Sequence, residues 1–192
     1  RNHPMRLLHV LLVAVAIAFV VAPSPAARAQ EAATEPADVP RLRALDFTPF
    51  ESALATFKPE TAAAIDALLR GGNISTLQAA MKVGLTSEEV TLYFLARIRK
   101  YDDRLRSYVE LNPNALSEAR AADRLRAAGK VLGPLHGIPV NLKDNIATAG
   151  PMHTTAGAAL LLDNVAPADA ALVRRLRAAG AVILGKANLS EF

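Results

Sequence analysis

Gly133-Pro134-Leu135-His136-Gly137-Ile138-Pro139-Val140-Asn141-Leu142-Lys143-Asp144-Asn145 decides how the whole chain is read. Ile138, Val140 and Leu142 alternate with Pro139, Asn141 and Lys143, a period of two that predicts a strand with one buried face. Gly133-Pro134 and Gly137 punctuate its entry and Asp144-Asn145 its exit. Lys143 therefore falls at the strand's C-terminal end, where open α/β sheets gather their chemistry.

Downstream, residues 145–162 are loop-rich and contain Thr154-Thr155-Ala156-Gly157. Residues 167–179 predict a helix with Leu172, Val173, Leu176 and Ala179 facing inward, Arg174, Arg175 and Arg177 on a solvated outer face, and Gly180 as its C-cap. Ala181-Val182-Ile183-Leu184 is apolar without alternation, as a strand buried on both faces requires. Strand, helix and strand in this order imply a right-handed parallel crossover, so the fold class is α/β.

Upstream, residues 59–70 read as a short helix opened by Pro59 and closed by Gly71-Gly72, and residues 76–82 as another turn or two. Thr86-Ser87-Glu88-Glu89 has the form of a capping box. Val90, Phe94, Ile98 and Tyr101 follow on one helical stripe with Arg97, Arg99 and Lys100 outside it, the spacing of a packed core. Leu105, Ser107, Val109 and Leu111 alternate with Arg106, Tyr108 and Glu110 and predict a strand. Asn112-Pro113 predicts an N-cap followed by Pro at the first position of a helix that runs to about residue 128.

The N-terminus has a different character. Met5 is read as the translation start and residues 1–4 as upstream sequence. Arg6 supplies a positive charge, residues 7–22 are almost wholly apolar, Pro23-Ser24-Pro25 ends the run, and Ala27-Arg28-Ala29 has the small-x-small form of a cleavage site. The run is short for a membrane span. Residues 1–29 are thus expected to be a signal peptide cut before Gln30, giving an exported, periplasmic or secreted protein with no stable membrane insertion after cleavage. Residues 30–75 are expected to form a leader and an N-terminal helical segment.

Composition removes several chemistries. Setting aside Arg1, Arg6 and Arg28, the remainder carries 19 basic against 18 acidic residues, which gives no reason to expect nucleic acid. The absence of Cys excludes disulfides and thiolate chemistry. His3, His9, His136 and His153 are not paired at ligand spacing, so no metal and no other cofactor is expected. Residues 180–187 match the spacing of a phosphate-binding loop. Their inner residues are strand formers, however, and Ala187 has no hydroxyl for magnesium. His136 and His153 lack the partners of a Ser-His-Asp set. Lys143 remains as the candidate.

These segments resemble the amidase signature family of serine hydrolases. The resemblance is carried by residues 133–140 with Leu142-Lys143-Asp144-Asn145, by Thr154-Thr155-Ala156-Gly157, and by residues 176–192, and it covers roughly residues 76–192. Residues 109–116 are also similar to exported bacterial peptide amidases. The family's pattern differs at Ala158, where many members have Ser, and at Ala187, where many have Thr.

The resemblance implies a partial amidase-signature fold: a mixed sheet flanked by helices and preceded by N-terminal helices, with residues 76–192 as the N-terminal part of an amidase domain. It implies a Ser–cis-Ser–Lys triad acting on a small-molecule or peptide amide, with Lys143 as general base taking the nucleophile's proton through a bridging serine. That role needs the lysine pKa lowered from about 10.4 to roughly 7–8, about 4 kcal/mol of environmental effect. Asp144 is expected to point away from Lys143, as strand neighbours do. Both serines belong to segments after residue 192, Ser190 being part of an earlier motif. The 192 residues are therefore expected to be an inactive N-terminal fragment that leaves the strand at 181–184 exposed and poorly soluble. The alternatives are a protein like the A-subunit of an amidotransferase and a non-catalytic binding fragment.

Overall fold

A computed structural model describes residues 43–189; the expected signal peptide, most of the leader and Ser190 lie outside the described residues. A 3₁₀ turn at Thr48–Phe50 leads into four helices, α1 (Glu51–Thr56), α2 (Pro59–Leu69), α3 (Ile74–Lys82) and α4 (Ser87–Leu105). Then come β1 (Tyr108–Leu111), α5 (Ala115–Ala127), β2 (Pro139–Lys143), α6 (Ala171–Ala178) and β3 (Val182–Ala187). The sheet order is β1-β3-β2, with β1 antiparallel and β2 parallel to β3. This is the α/β class that the patterning predicts, with the mixed sheet flanked by helices that the family resemblance implies. No helix among the described residues is long and apolar enough to cross a membrane.

Local chemistry explains where the helices start. Thr86 Oγ1 accepts from the Glu89 amide at 3.0 Å, and Glu89 Oε2 accepts from the Thr86 amide at 2.9 Å, closing the predicted capping box. Asn73 and Thr76 form a second box, so α3 begins at Ile74, two residues earlier than expected. Along α4, Leu92, Leu95 and Ile98 pack with Leu111, Leu116, Val182 and Leu184, while Val90 and Tyr93 pack with Ile65, Leu77 and Met81. The helix is thus buried on two sides. Tyr101, expected on the core stripe, lies past both clusters, 39% exposed, with the Arg97 and Lys100 cations over its ring.

Five other expectations are corrected. The strand anticipated from 105 starts at Tyr108, because α4 runs through Leu105 and ends on left-handed Arg106. Buried Asp102 then accepts from the Ser107 amide and hydroxyl and the Tyr108 amide, fixing the turn. Asn112 is not an N-cap. Its Oδ1 accepts from the Asn114 amide, and its Nδ2 donates to Ile183 O at 2.7 Å and Glu118 Oε1 at 3.0 Å, so it brackets α5 to β3. Helix α6 is shorter than 167–179: Val173 is fully buried, but Leu172 is 52% exposed. Arg177 is not merely solvated, since it pairs with Glu118 and Asp169. Finally, β3 is the central strand and not an exposed one, because β1 and β2 cover both its edges.

Two close approaches hold the sheet to its surroundings. Gly180, at φ +82°, ends α6 where a Cβ would lie 2.6 Å from His136 Nδ1 and 2.9 Å from His136 Cα. His136 itself is fully buried, with Nε2 2.9 Å from Ala122 O, and acts as a structural bracket. Residues 180–187 are a helix end and a strand, so the phosphate-loop spacing is coincidental.

The second feature is a bulge. Val140 pairs with Ile183 but Asn141 pairs with Gly185, which leaves Leu184 as an extra residue in β3. Strict alternation would put Lys186 on the same face as Val182 and Leu184. The bulge instead pairs it with Leu142, whose cluster is Met152, Val173 and Ile183 on the α6 side.

Candidate functional site at the end of the parallel strands

Lys143 is the last residue of β2 and is exposed. Its Nζ donates to Asn188 O at 2.8 Å. The side chain borders an open cleft of about 600 Å³, lined also by Arg106, Ser107, Asn141, Ala187, Asn188 and Leu189. A cation at the mouth of a cleft, at the C-terminal ends of two parallel strands, occupies the position where this architecture exposes reactive groups.

Asp144 turns the opposite way, as the alternation predicts. It is 1% exposed, and its Oδ2 accepts from the Thr155 amide at 3.2 Å and from the Thr155 hydroxyl. Its Oδ1 is buried without a hydrogen-bond partner. Its backbone continues the ladder, the Asp144 amide donating to Ala187 O at 3.1 Å.

A second lysine, which sequence reasoning misses, sits nearby. Lys186 is completely buried. Its Nζ donates to Ile146 O at 2.6 Å and to the hydroxyls of Thr148 and Thr154, each at 3.2 Å. An ammonium carries three protons, and all three are used. Among the described residues no carboxylate pairs with it directly. Burial pushes its pKa below the ordinary 10.5, opposed by the charges of Asp144 and Glu110. The one available signal is a lysine inside an otherwise apolar strand. Its enclosure excludes direct contact with a substrate.

The loop between β2 and α6 is fastened around this ammonium. Glu110 of β1 accepts from the His153 amide at 2.7 Å and lies 2.9 Å from His153 Nδ1, so His153 is a tether. Asp169 accepts from the Ala149 amide at 2.7 Å. Ala156 adopts φ +52°, a strained conformation for a residue with a Cβ, and Gly157 follows at φ +78°. Among the described residues no group of His, Cys, Asp and Glu could hold a metal ion.

Comparison with known proteins bears on the family and the fold. The family model described as Amidase matches residues 89–192. The A-subunit of glutamyl-tRNA(Gln) amidotransferase from Moorella thermoacetica is 49% identical over 109 residues, which are 56% of this chain and 22% of that protein. The crystal structure of the native peptide amidase from Stenotrophomonas maltophilia is 52% identical with a TM-score of 0.60, covering 64% of this chain and 26% of that one. An amidase family protein from Bacillus anthracis aligns at 38% identity and a TM-score of 0.69, covering 76% of this chain and 29% of that one. The chain spans about a quarter of the length of these relatives. A family model that covers more than half of the sequence, on a fold shared with solved amidases, establishes that the chain belongs to the amidase (amidase-signature) family.

Proposed function

We propose that this chain supplies the general base of a carboxamide hydrolase, with Lys143 in that role and the two serines of a Ser–cis-Ser–Lys triad contributed from segments after residue 192. The observation that carries the reading is the place of Lys143: exposed at the end of β2, with Nζ on a single carbonyl beside an open cleft. The neutral lysine takes a proton through the bridging serine from the nucleophilic serine, which attacks the amide carbonyl. Backbone amides hold the oxyanion, the proton taken up by the lysine passes back to the amide nitrogen so that ammonia or an amine leaves, and water hydrolyses the acyl-serine to the acid.

The substrate class we favour is a peptide-terminal amide, on the strength of 52% identity to a peptide amidase. The 192 residues alone are expected to hydrolyse nothing. We further propose that residues 1–29 act as an export signal, which N-terminal sequencing of the secreted protein tests by finding Gln30 first.

The test of the main reading is ammonia release from a C-terminally amidated peptide by the complete gene product. Lys143→Ala should abolish release while leaving the circular dichroism spectrum unchanged. Retained hydrolysis would remove Lys143 from the mechanism. The likeness to the amidotransferase A-subunit favours a second reading, in which the ammonia is delivered to glutamyl-tRNA(Gln). Full activity on a peptide amide without any partner decides against it.

A further inference from the structure

Besides the cleft at Lys143, a second polar cluster lies buried on the other face of the sheet. There a fully buried ammonium, two threonine hydroxyls, one backbone carbonyl and a buried carboxylate oxygen without a partner lie together. A buried cation with no direct counter-ion is costly unless its protons are all satisfied. Here each proton goes to the segment that follows β2: Ile146, Thr148 and Thr154.

We propose that Lys186 is a positioning residue that locks the turn after β2 and thereby fixes where Lys143 points. This rests on the reading of Lys143 as the general base. The mechanical path is short. Lys143 O accepts from the Ile146 amide at 3.0 Å, closing the turn directly after the base. Ile146 O is held in turn by Lys186 Nζ at 2.6 Å and by the Thr148 hydroxyl at 2.9 Å. Thr154, the third acceptor, immediately precedes Thr155, which grips Asp144. Asp144 and Ile146, which flank this turn, are thus both fastened to a frame that Lys186 holds from β3.

The strand bulge makes this possible. It brings Lys186 opposite Leu142, one residue before the base, and onto the loop face of the sheet. Lys143 itself projects from the other face, toward Arg106 and Ser107. Lys186 therefore acts on the base through the backbone and not by touching substrate. Loss of the lock lets the base swing, and a displacement of about 1 Å in a reacting group reduces turnover by up to about 10²-fold.

The experiment compares Lys186→Met with wild type in the complete gene product, by steady-state kinetics and by amide hydrogen exchange. The expected result is a fall in kcat of about 10- to 100-fold with KM changed less than about twofold. Exchange at residues 144–157 should quicken at least about tenfold more than exchange in α4. An unchanged kcat overturns the proposal. So does an equal loss of protection throughout the chain, which would make Lys186 a support for the whole fold. Should Lys186→Met fail to fold, Thr154→Val removes one acceptor at constant volume and should lower kcat by a few fold; an unaltered kcat there overturns the proposal as well. Lys143→Ala separates the two levels. If it is inactive while Lys186→Met turns over at the wild-type rate, only the positioning role fails; if Lys143→Ala stays active, the base assignment falls and the positioning role falls with it.

Discussion

Lys143 and Lys186 stand at neighbouring positions of a parallel strand pair, one residue apart in register, and their surroundings have nothing in common. Lys143 is exposed and spends one proton on Asn188 O, leaving two unclaimed among the described residues. Lys186 is sealed, and protein oxygens take all three of its protons. The extra residue in β3 turns Lys186 to the opposite face from Lys143. An ammonium with its donors filled behaves as a strut. One with donors to spare can bind and exchange protons.

The largest effect that tests this contrast is on turnover. Lys143→Ala in the complete gene product should lower kcat by about 10⁴-fold or more, the scale seen when one member of a catalytic triad is removed. Because Lys143 makes one hydrogen bond where Lys186 makes three, the melting temperature should move by no more than about 2 °C. Lys186→Met should show the reverse emphasis. It takes one of two donors from Ile146 O and the ammonium donor from the Thr148 and Thr154 hydroxyls, and it removes the cation beside Asp144 and Glu110, so the urea midpoint should correspond to a loss of about 3 kcal/mol. Equal stability of the two variants would erase the distinction between strut and reagent.

Sequence patterning reaches one side of this contrast and misses the other, for physical reasons. Alternation through Ile138, Val140 and Leu142 locates β2, and the position of Lys143 at its end follows. The capping box at Thr86 and the unbroken apolar run at 181–184 are equally legible, because caps and buried strands write their chemistry locally. Lys186 escapes notice because a bulge has no period. Nothing in Val182-Ile183-Leu184-Gly185-Lys186 says that Leu184 is skipped; only pairing with β2 shows it. Asn112 and Asp102 mislead for a related reason. Their side chains reach partners that the fold brings near, and local rules see a cap in one and nothing in the other. Arg177 likewise reads as a surface charge until Glu118 and Asp169 arrive beside it.

Gly185 sharpens the comparison at an intermediate scale. It lies at the bulge, immediately before Lys186, and a Cβ there would meet Glu110 O at 2.5 Å and Leu111 Cα at 3.2 Å. Backbone of β1 must then withdraw, so Gly185→Ala should destabilise by about 2 kcal/mol in urea titration. The same change should disturb the His153 tether, since Glu110 carries it. A Gly185→Ala protein of wild-type stability would mean that β1 can move away freely, and that the bulge does not depend on it.

The smallest expected effect is in pH, and its sign follows from the burial of Lys186. Burial holds its pKa below the ordinary 10.5, against the pull of Asp144 and Glu110. In the interval between that lowered value and 10.5, the unfolded chain holds a proton that the native chain has released, so unfolding free energy rises with pH. Below the interval both states are protonated, and the penalty for burying the cation is present in full. Tyr108 acts in the opposite sense at higher pH. Burial, with Asp102 nearby, raises its pKa from 10.0 to about 12, so stability falls between those values. Urea midpoints of wild type and Lys186→Met, measured from about pH 8 upward in a Tyr108→Phe background, isolate the lysine. Wild type should gain on the variant as pH approaches 10.5. A constant gap would show that the three hydrogen bonds fully offset the burial of the charge, making Lys186 as indifferent to alkali as a lysine in solvent despite its enclosure.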